Sequence, residues 1–255
     1  MSINRSFLAV LLPMLILIAT FVFAMPELGG ETKAAARSGD AKAQYELARM
    51  YFQGDTVEQN VNTALEWLHK AADQDQPDAL FTLGFLHMRG DGVERDDQKS
   101  FDYLRRAAEN GHPQAQGFMA FAYAQGAGVE QDSGKFLYWM QKAAESGDPV
   151  SQYSVGMMHM TGEMVEKSVP MAKEWFTKAA EQDFLDAQTT LGELALSGLD
   201  GEPNIVEACK WFAIAGSKGH GPANDLLMQV TQRMTQEQMD QAADEAKAWL
   251  KKFAK

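Results

Sequence analysis

The chain has 255 residues, 45% of them hydrophobic and 23% charged, and its formal net charge at neutral pH is −12. This acidic surplus argues against a nucleic-acid backbone or an anionic membrane surface as the partner, because both attract clusters of Lys and Arg. A single cysteine, Cys209, excludes an intrachain disulfide. We expect it to be buried as an apolar residue.

The N-terminal segment has the pattern of an export signal. Arg5 precedes an apolar run over residues 7–24, which ends in Val22-Phe23-Ala24. The run just reaches the length that spans a membrane, so residues 1–24 are predicted to be either a signal peptide cleaved after Ala24 or an N-terminal anchor. Either outcome exports the remainder, because the positive end stays inside. We therefore expect a periplasmic or envelope-associated protein whose membrane contact is limited to this possible anchor.

A repeat of 36 residues organises the rest of the chain. Every thirty-sixth residue from Ala43 onward is small, and a glycine follows eleven residues after each of the first five. These lead residues are Ala43, Ala79, Ala115, Ser151, Ala187 and Ala223, and the glycines are Gly54, Gly90, Gly126, Gly162 and Gly198. A repeat of this length predicts one supersecondary unit per repeat, which must stack on its neighbours to bury its apolar faces.

Each repeat is predicted to contain two helices. The first, helix A, starts near the lead residue and ends at the glycine, which suits the C′ position. The second, helix B, follows a position that holds a short N-cap side chain in every repeat: Asn60, Asp96, Asp132, Ser168 and Asn204. Helix B carries an aromatic residue at one further position: Trp67, Tyr103, Trp139, Trp175 and Trp211. The predicted fold is therefore all-α, with five hairpins over residues 39–218.

The two ends of the repeat array are predicted to be caps. Residues 25–38 match the tail of a helix B, and residues 219–255 match further helices that depart from the repeat. Thr235 and Gln238 have the spacing of a capping box. The helix after it is predicted to seal the last repeat with five residues on one side: Met239, Ala243, Ala246, Leu250 and Phe253.

The repeated residues of helices A and B resemble the Sel1-like repeat, a relative of the tetratricopeptide repeat. Residues 115–147 match it closely, with G-A-G-V at 126–129 and W-M-Q-K-A-A at 139–144. The resemblance implies a right-handed α-solenoid of stacked helix hairpins with a C-terminal capping helix. It also implies a non-enzymatic scaffold or adaptor with a protein or peptide partner in its concave groove, in envelope assembly, secretion or cell-surface regulation. Thr56, Met164 and Asp200 replace the second loop glycine, so we expect those loops to be looser or differently turned.

One face of helix A carries the candidate binding residues. Positions two, six and nine after the lead residue share a face opposite the stacking face, since each residue advances the helix by about 100°. In tetratricopeptide-like solenoids these positions line the groove. The groove residues predicted in this way are Tyr45, Arg49, Phe52, Phe81, Phe85, Met88, Phe121, Tyr153, Met157 and Met160. The alternative is that some of them only pack between neighbouring helices A.

Two other patterns have a functional and a structural interpretation. A glutamate recurs two residues before each N-cap: Glu58, Glu94, Glu130, Glu166 and Glu202. These glutamates could form an acidic ridge that binds a basic partner. The alternative is that each is simply a favourable anion near a helix N-terminus. The run Met157 to Met160, which includes His159, offers thioether and imidazole ligands that suit Cu(I). Adjacent residues point in different directions around a helix, however. This run makes an envelope metal-handling or hydrolytic protein the alternative function. The main interpretation is a binding scaffold, for which we expect no catalytic residues, no metal site and no cofactor.

Overall fold

The structure is a computed structural model that describes residues 29–54, 56–199 and 201–253. All regular secondary structure in these ranges is helical, which confirms the predicted all-α fold. The helices are α1 Gly30–Arg37, α2 Ala41–Gln53, α3 Val61–Ala72, α4 Pro77–Arg89, α5 Asp97–Glu109, α6 Pro113–Gln125, α7 Ser133–Glu145, α8 Pro149–Thr161, α9 Val169–Ala180, α10 Leu185–Ser197, α11 Ile205–Ser217, α12 Gly221–Thr231 and α13 Gln236–Phe253.

The contacts divide the chain into two compact units, Met1–Ser100 and Phe101–Lys255, with the boundary inside α5. In the first unit α1 packs on α2, α2 on α3, and α3 on α4. In the second unit each helix from α6 to α11 packs on the next, and α13 packs on α11. Within each unit, successive hairpins therefore stack as the repeat predicts. Helices A are α2, α4, α6, α8 and α10, and helices B are α3, α5, α7, α9 and α11.

The predicted N-caps of all five helices B are confirmed. Each side-chain oxygen accepts a hydrogen bond from the backbone N–H three residues later, at distances from 2.9 to 3.4 Å. The hydrogen bond from the Lys99 N–H, which favours the ionised carboxylate, lowers the pKa of Asp96. The caps fix where each helix B begins, and so keep the repeats in register.

A glycine in helix A lies directly against a phenylalanine of helix B in the last two repeats. A Cβ atom on Gly156 would lie 2.5 Å from the ring of Phe176, and one on Gly192 would lie 2.5 Å from the ring of Phe212. Both rings are fully buried. The first repeat holds Ala48 and Leu68 at the equivalent positions, so a smaller residue on one helix accompanies a larger one on the other.

A buried glutamine ties helix A to the preceding helix in four of the repeats. Its Nε2 atom donates to an alanine carbonyl near the end of that helix, at 3.0 to 3.2 Å; these glutamines are Gln44, Gln116, Gln152 and Gln188. Gln152 also accepts a hydrogen bond of 2.9 Å from Gln182. The Oε1 atom of Gln116 is buried without a hydrogen-bond partner in the described structure.

Replacing these glutamines by leucine, the residue at the equivalent position 80, should therefore have unequal effects. Gln152→Leu loses two hydrogen bonds and is expected to cost about 1 kcal/mol. Gln116→Leu loses one bond but also removes a buried unpaired oxygen, so we expect a neutral or slightly stabilising change. Urea denaturation of both variants measures the difference, and equal losses of stability would contradict it.

The loop after helix A of the fourth repeat corrects one prediction. Met164 has φ of 64°, the left-handed conformation that Gly92 and Gly128 adopt at the equivalent positions. The expectation of a differently turned loop is wrong there, because Met164 adopts the same left-handed conformation although a side chain disfavours it. Asp200 lies outside the described residues.

The C-terminal helix seals the last repeat, and one of the five residues of its predicted contact face is wrong. Both capping-box bonds form: the Thr235 N–H donates to Gln238 Oε1 at 2.9 Å, and the Gln238 N–H donates to Thr235 Oγ1 at 3.3 Å. Ala242 and Ala246 are buried, whereas Ala243 is exposed, so its predicted contact is wrong. Trp249 packs on Trp211 and Phe253, with ring centroids 4.7 and 4.1 Å apart.

At the other end, α1 packs on α2 at the start of the first repeat. The predicted signal peptide or anchor, residues 1–24, lies outside the described residues. Among those that are described, no helix is both long and apolar enough to cross a membrane.

Candidate binding face

Charge is distributed unequally between the two kinds of helix in the second unit. Helices A α6 and α8 contain no Asp, Glu, Lys or Arg. The neighbouring helix B α9 carries Lys173, Glu174 and Lys178 within twelve residues. Depletion of charge on an exposed apolar surface is typical of the centre of a protein interface.

In the first unit the groove residues are half-buried, apart from exposed Arg49. The rings of Phe81 and Phe85 form a pair with centroids 4.7 Å apart. Burial raises the pKa of the Tyr45 hydroxyl, and a hydrogen bond with Thr82 on α4 partly offsets the effect. Arg49 pairs with Glu46 at 3.1 Å on its own helix. Tyr45 thus has the packing role that was the alternative, while part of its side chain stays accessible.

In the second unit Phe121 is the most accessible groove residue, with 57% of its surface exposed. Tyr153 is half-buried against Phe176 and Phe184, with ring centroids 5.5 and 5.3 Å apart. Its hydroxyl lies 3.5 Å from Thr190 Oγ1 on α10, which repeats the contact of Tyr45 with Thr82. Tyr153 therefore packs between neighbouring helices A as Tyr45 does, and its groove role remains a prediction.

Three groove residues meet at a surface depression between α8 and α10, with a volume of about 340 Å³. We call it the α8–α10 depression, and its main lining residues are Tyr153, Met157, Met160, Glu193, Leu194 and Leu199. Thr190 and Ser197 complete its wall. The lining is mostly apolar, and Leu199 is 65% exposed at the rim. A flexible, methionine-containing apolar surface of this kind can repack around different side chains.

The sequence pattern identified the α8 residues of this depression, but not those of α10 and the loop that follows it. Glu193 occupies the sixth position after Ala187, so the same spacing applied to the fifth repeat identifies it. Leu194 and Leu199 fall outside that spacing, because the depression lies between two helices and extends into the following loop. A pattern from one helix cannot identify residues that a neighbouring loop contributes.

The structure does not support the metal interpretation of Met157 to Met160. The Nδ1 atom of His159 is hydrogen-bonded to the Glu166 carbonyl oxygen at 3.0 Å, and His87 makes the same bond to Glu94 two repeats earlier. These histidines hold loops in place. No group of three or more His, Cys, Asp or Glu side chains able to hold a metal occurs in the described ranges.

One cluster has the residue types of a catalytic triad. His220 Nε2 lies 3.2 Å from Asp186 Oδ1, and His220 Nδ1 lies 2.9 Å from Thr189 Oγ1. Thr189 is only 7% exposed, and its hydroxyl lies within hydrogen-bond distance of the Leu185 carbonyl. A nucleophile must reach its substrate, and the buried Thr189 hydroxyl gives a substrate little access. The contacts join α10 to the start of α12.

Two remaining expectations concern Cys209 and the loop glutamates. Cys209 is 5% exposed and lies in the core beneath α13, as predicted, and burial raises the pKa of its thiol. The five loop glutamates are all exposed. An acidic ridge remains a prediction.

Comparison with known proteins identifies the repeats. The Sel1 repeat model matches residues 41–76, 77–112, 113–148, 149–184 and 185–220, which is most of the chain. The chain belongs to the Sel1 repeat family. A Sel1 repeat protein from Oxalobacter formigenes is 26% identical with a TM-score of 0.65, covering 86% of this chain and 99% of that one.

Two further Sel1-related proteins are similar over different lengths. A protective antigen present in uropathogenic Escherichia coli strains displays the same repeat fold at 26% identity and a TM-score of 0.60. The match covers 89% of this Sel1 repeat chain but 56% of the antigen. A sel1-like repeat-containing protein of Acanthamoeba polyphaga mimivirus is 45% identical over 42 residues, which are 16% of this chain and 7% of that protein.

Proposed function

We propose that this Sel1 repeat protein is an exported, non-enzymatic scaffold that binds a protein or peptide partner on the exposed face of its helices A. The proposal rests on the surface of α6 and α8. These helices contain no Asp, Glu, Lys or Arg, and Phe121 on α6 is 57% exposed. Leaving an aromatic ring in water forgoes the free energy of burying it, and a partner recovers that energy.

The second unit supplies a matched pair of residues to test the proposal. Tyr138, on helix B α7, is 53% exposed, almost as much as Phe121 on helix A α6. Both substitutions to serine remove an exposed aromatic ring, so neither is expected to unfold the chain. In a crosslinking pull-down from producing cells, Phe121→Ser should reduce the yield of specific partners at least about tenfold, as for an interface hot spot. Tyr138→Ser should leave that yield unchanged.

A loss of partners with Tyr138→Ser but not with Phe121→Ser would contradict the proposal. An unchanged yield of partners with both substitutions would also contradict it. The first unit provides an independent variant, Tyr45→Ala with Phe81→Ala and Met88→Ala. Circular dichroism must show that this triple variant remains folded, because Tyr45 also packs between helices.

The export part of the proposal rests on the sequence of residues 1–24. Cleavage after Ala24 gives a mature chain that begins at Met25, whereas an uncleaved anchor keeps the full mass. We expect mass spectrometry of the protein from cell envelopes to give the shorter mass. The full-length mass in a soluble cytoplasmic fraction would contradict export.

A further inference from the structure

The α8–α10 depression contains one carboxylate with no internal partner. The Tyr153 hydroxyl lies near Thr190 Oγ1, and the Ser197 hydroxyl donates to the Leu194 carbonyl at 2.9 Å. Glu193 is exposed and makes no hydrogen bond or ion pair with any residue that the structure describes. It is the polar lining residue left available to a ligand.

The two helices that form the depression supply no cation to neutralise this carboxylate. Neither α8 nor α10 contains Lys or Arg. The chain as a whole carries a net charge of −12. A basic group on a partner would therefore meet an unneutralised carboxylate beside an apolar surface, and charge complementarity of this kind selects partners and guides their approach.

We propose that the depression takes a partner segment in which a bulky aliphatic side chain stands next to a Lys or Arg. This inference rests on the binding function proposed above and specifies the chemistry of the partner. The aliphatic side chain packs on Tyr153, Met157 and Leu194, and the adjacent cation pairs with Glu193. The exposed Leu199 covers the outer side of the inserted chain. The volume of about 340 Å³ suits a short segment rather than a folded domain.

Selection of random dodecapeptides displayed on phage against the immobilised full-length protein tests this chemistry. The wild type should enrich peptides with an aliphatic residue beside Lys or Arg. Glu193→Lys should shift the enrichment to Asp or Glu at that place. The control is Glu174→Lys on helix B α9, also an exposed glutamate, which changes the net charge equally and should keep the basic preference.

Affinity of a selected peptide gives the size of the effect. Replacing its basic residue by norleucine should weaken binding to the wild type about two- to fivefold, as for an exposed ion pair, and should leave binding to Glu193→Gln unchanged. A basic preference that survives in Glu193→Lys, or that Glu174→Lys also loses, would overturn the inference while leaving the binding function intact.

Failure of the binding function itself gives a different result, because the wild type would then enrich no peptide family at all. Two further variants test whether the depression is the binding site. Leu199→Asp alters a side chain that is 65% exposed, so the variant should fold, and it should lose the enrichment. Enrichment that persists in Leu199→Asp and in Met157→Ser would show that peptides bind elsewhere. If sedimentation instead shows self-association that Leu199→Asp abolishes, the depression binds a second copy of the chain and the peptide proposal is overturned.

Discussion

Gly156→Ala is expected to lower the free energy of unfolding by about 2 kcal/mol, the usual cost of overpacking a core. The new methyl group would lie 2.5 Å from the ring of Phe176, which is fully buried and cannot move into solvent. A glycine-to-alanine change in a helix otherwise gains up to about 1 kcal/mol, so the expected loss has the opposite sign. The midpoint and slope of urea denaturation measure it.

Other positions in the repeats supply a control for Gly156→Ala and a second substitution that should compensate for it. Gly117 in α6 has room for a methyl group, whose nearest neighbour would be Ser151 Oγ at 3.4 Å, so Gly117→Ala should be neutral or stabilising. Adding Phe176→Leu to Gly156→Ala recreates the Ala48 and Leu68 pair of the first repeat. The double variant should be more stable than Gly156→Ala alone. If it is less stable, the two positions do not compensate each other as proposed.

Trp249→Ala is expected to cost about 2–3 kcal/mol, towards the lower end for a large-to-small aromatic change because Trp249 is only half-buried. The substitution removes the ring that packs on Trp211 and Phe253, and so uncovers Trp211, which is 4% exposed in the intact protein. Urea denaturation measures the loss of stability.

A residue on the solvent side of the same helix supplies the control. Lys247 is exposed and, among the residues that the structure describes, pairs with nearby Asp244 at 3.3 Å, so Lys247→Ala should change stability by less than about 0.5 kcal/mol. Equal stability of Trp249→Ala and the wild type would mean that α13 does not seal the last repeat.

The repeat predicted the fold well because the same local signals occur five times. An N-cap oxygen and a terminating glycine each define a helix end through contacts within a few residues, and register-matched copies reinforce the assignment. The same reasoning failed for Met164, because it assumed that only glycine adopts the left-handed conformation, which Met164 adopts despite its side chain. It also failed for Ala243, since a lone capping helix has no repeat to fix which side faces the core.

The binding face was predicted only in part, for a physical reason. The helical spacing places Tyr153, Met157 and Met160 on one side of α8, but it cannot specify which neighbouring element comes close to them. Glu193 and Leu199 belong to the α8–α10 depression because α10 and its following loop pack beside α8. The buried glutamines were missed as well, because a polar residue inside a helical pattern suggests exposure until its hydrogen-bond partner is known.

Helices A, and not helices B, are proposed to meet the partner. Hydroxyl-radical footprinting of the wild-type protein with and without the captured partner tests it most directly, since Phe121 and Tyr138 start at 57% and 53% exposure on the two kinds of helix. Binding is predicted to protect Phe121 and to leave the modification of Tyr138 unchanged. Protection of Tyr138 with Phe121 still fully reactive would show that helices B meet the partner instead.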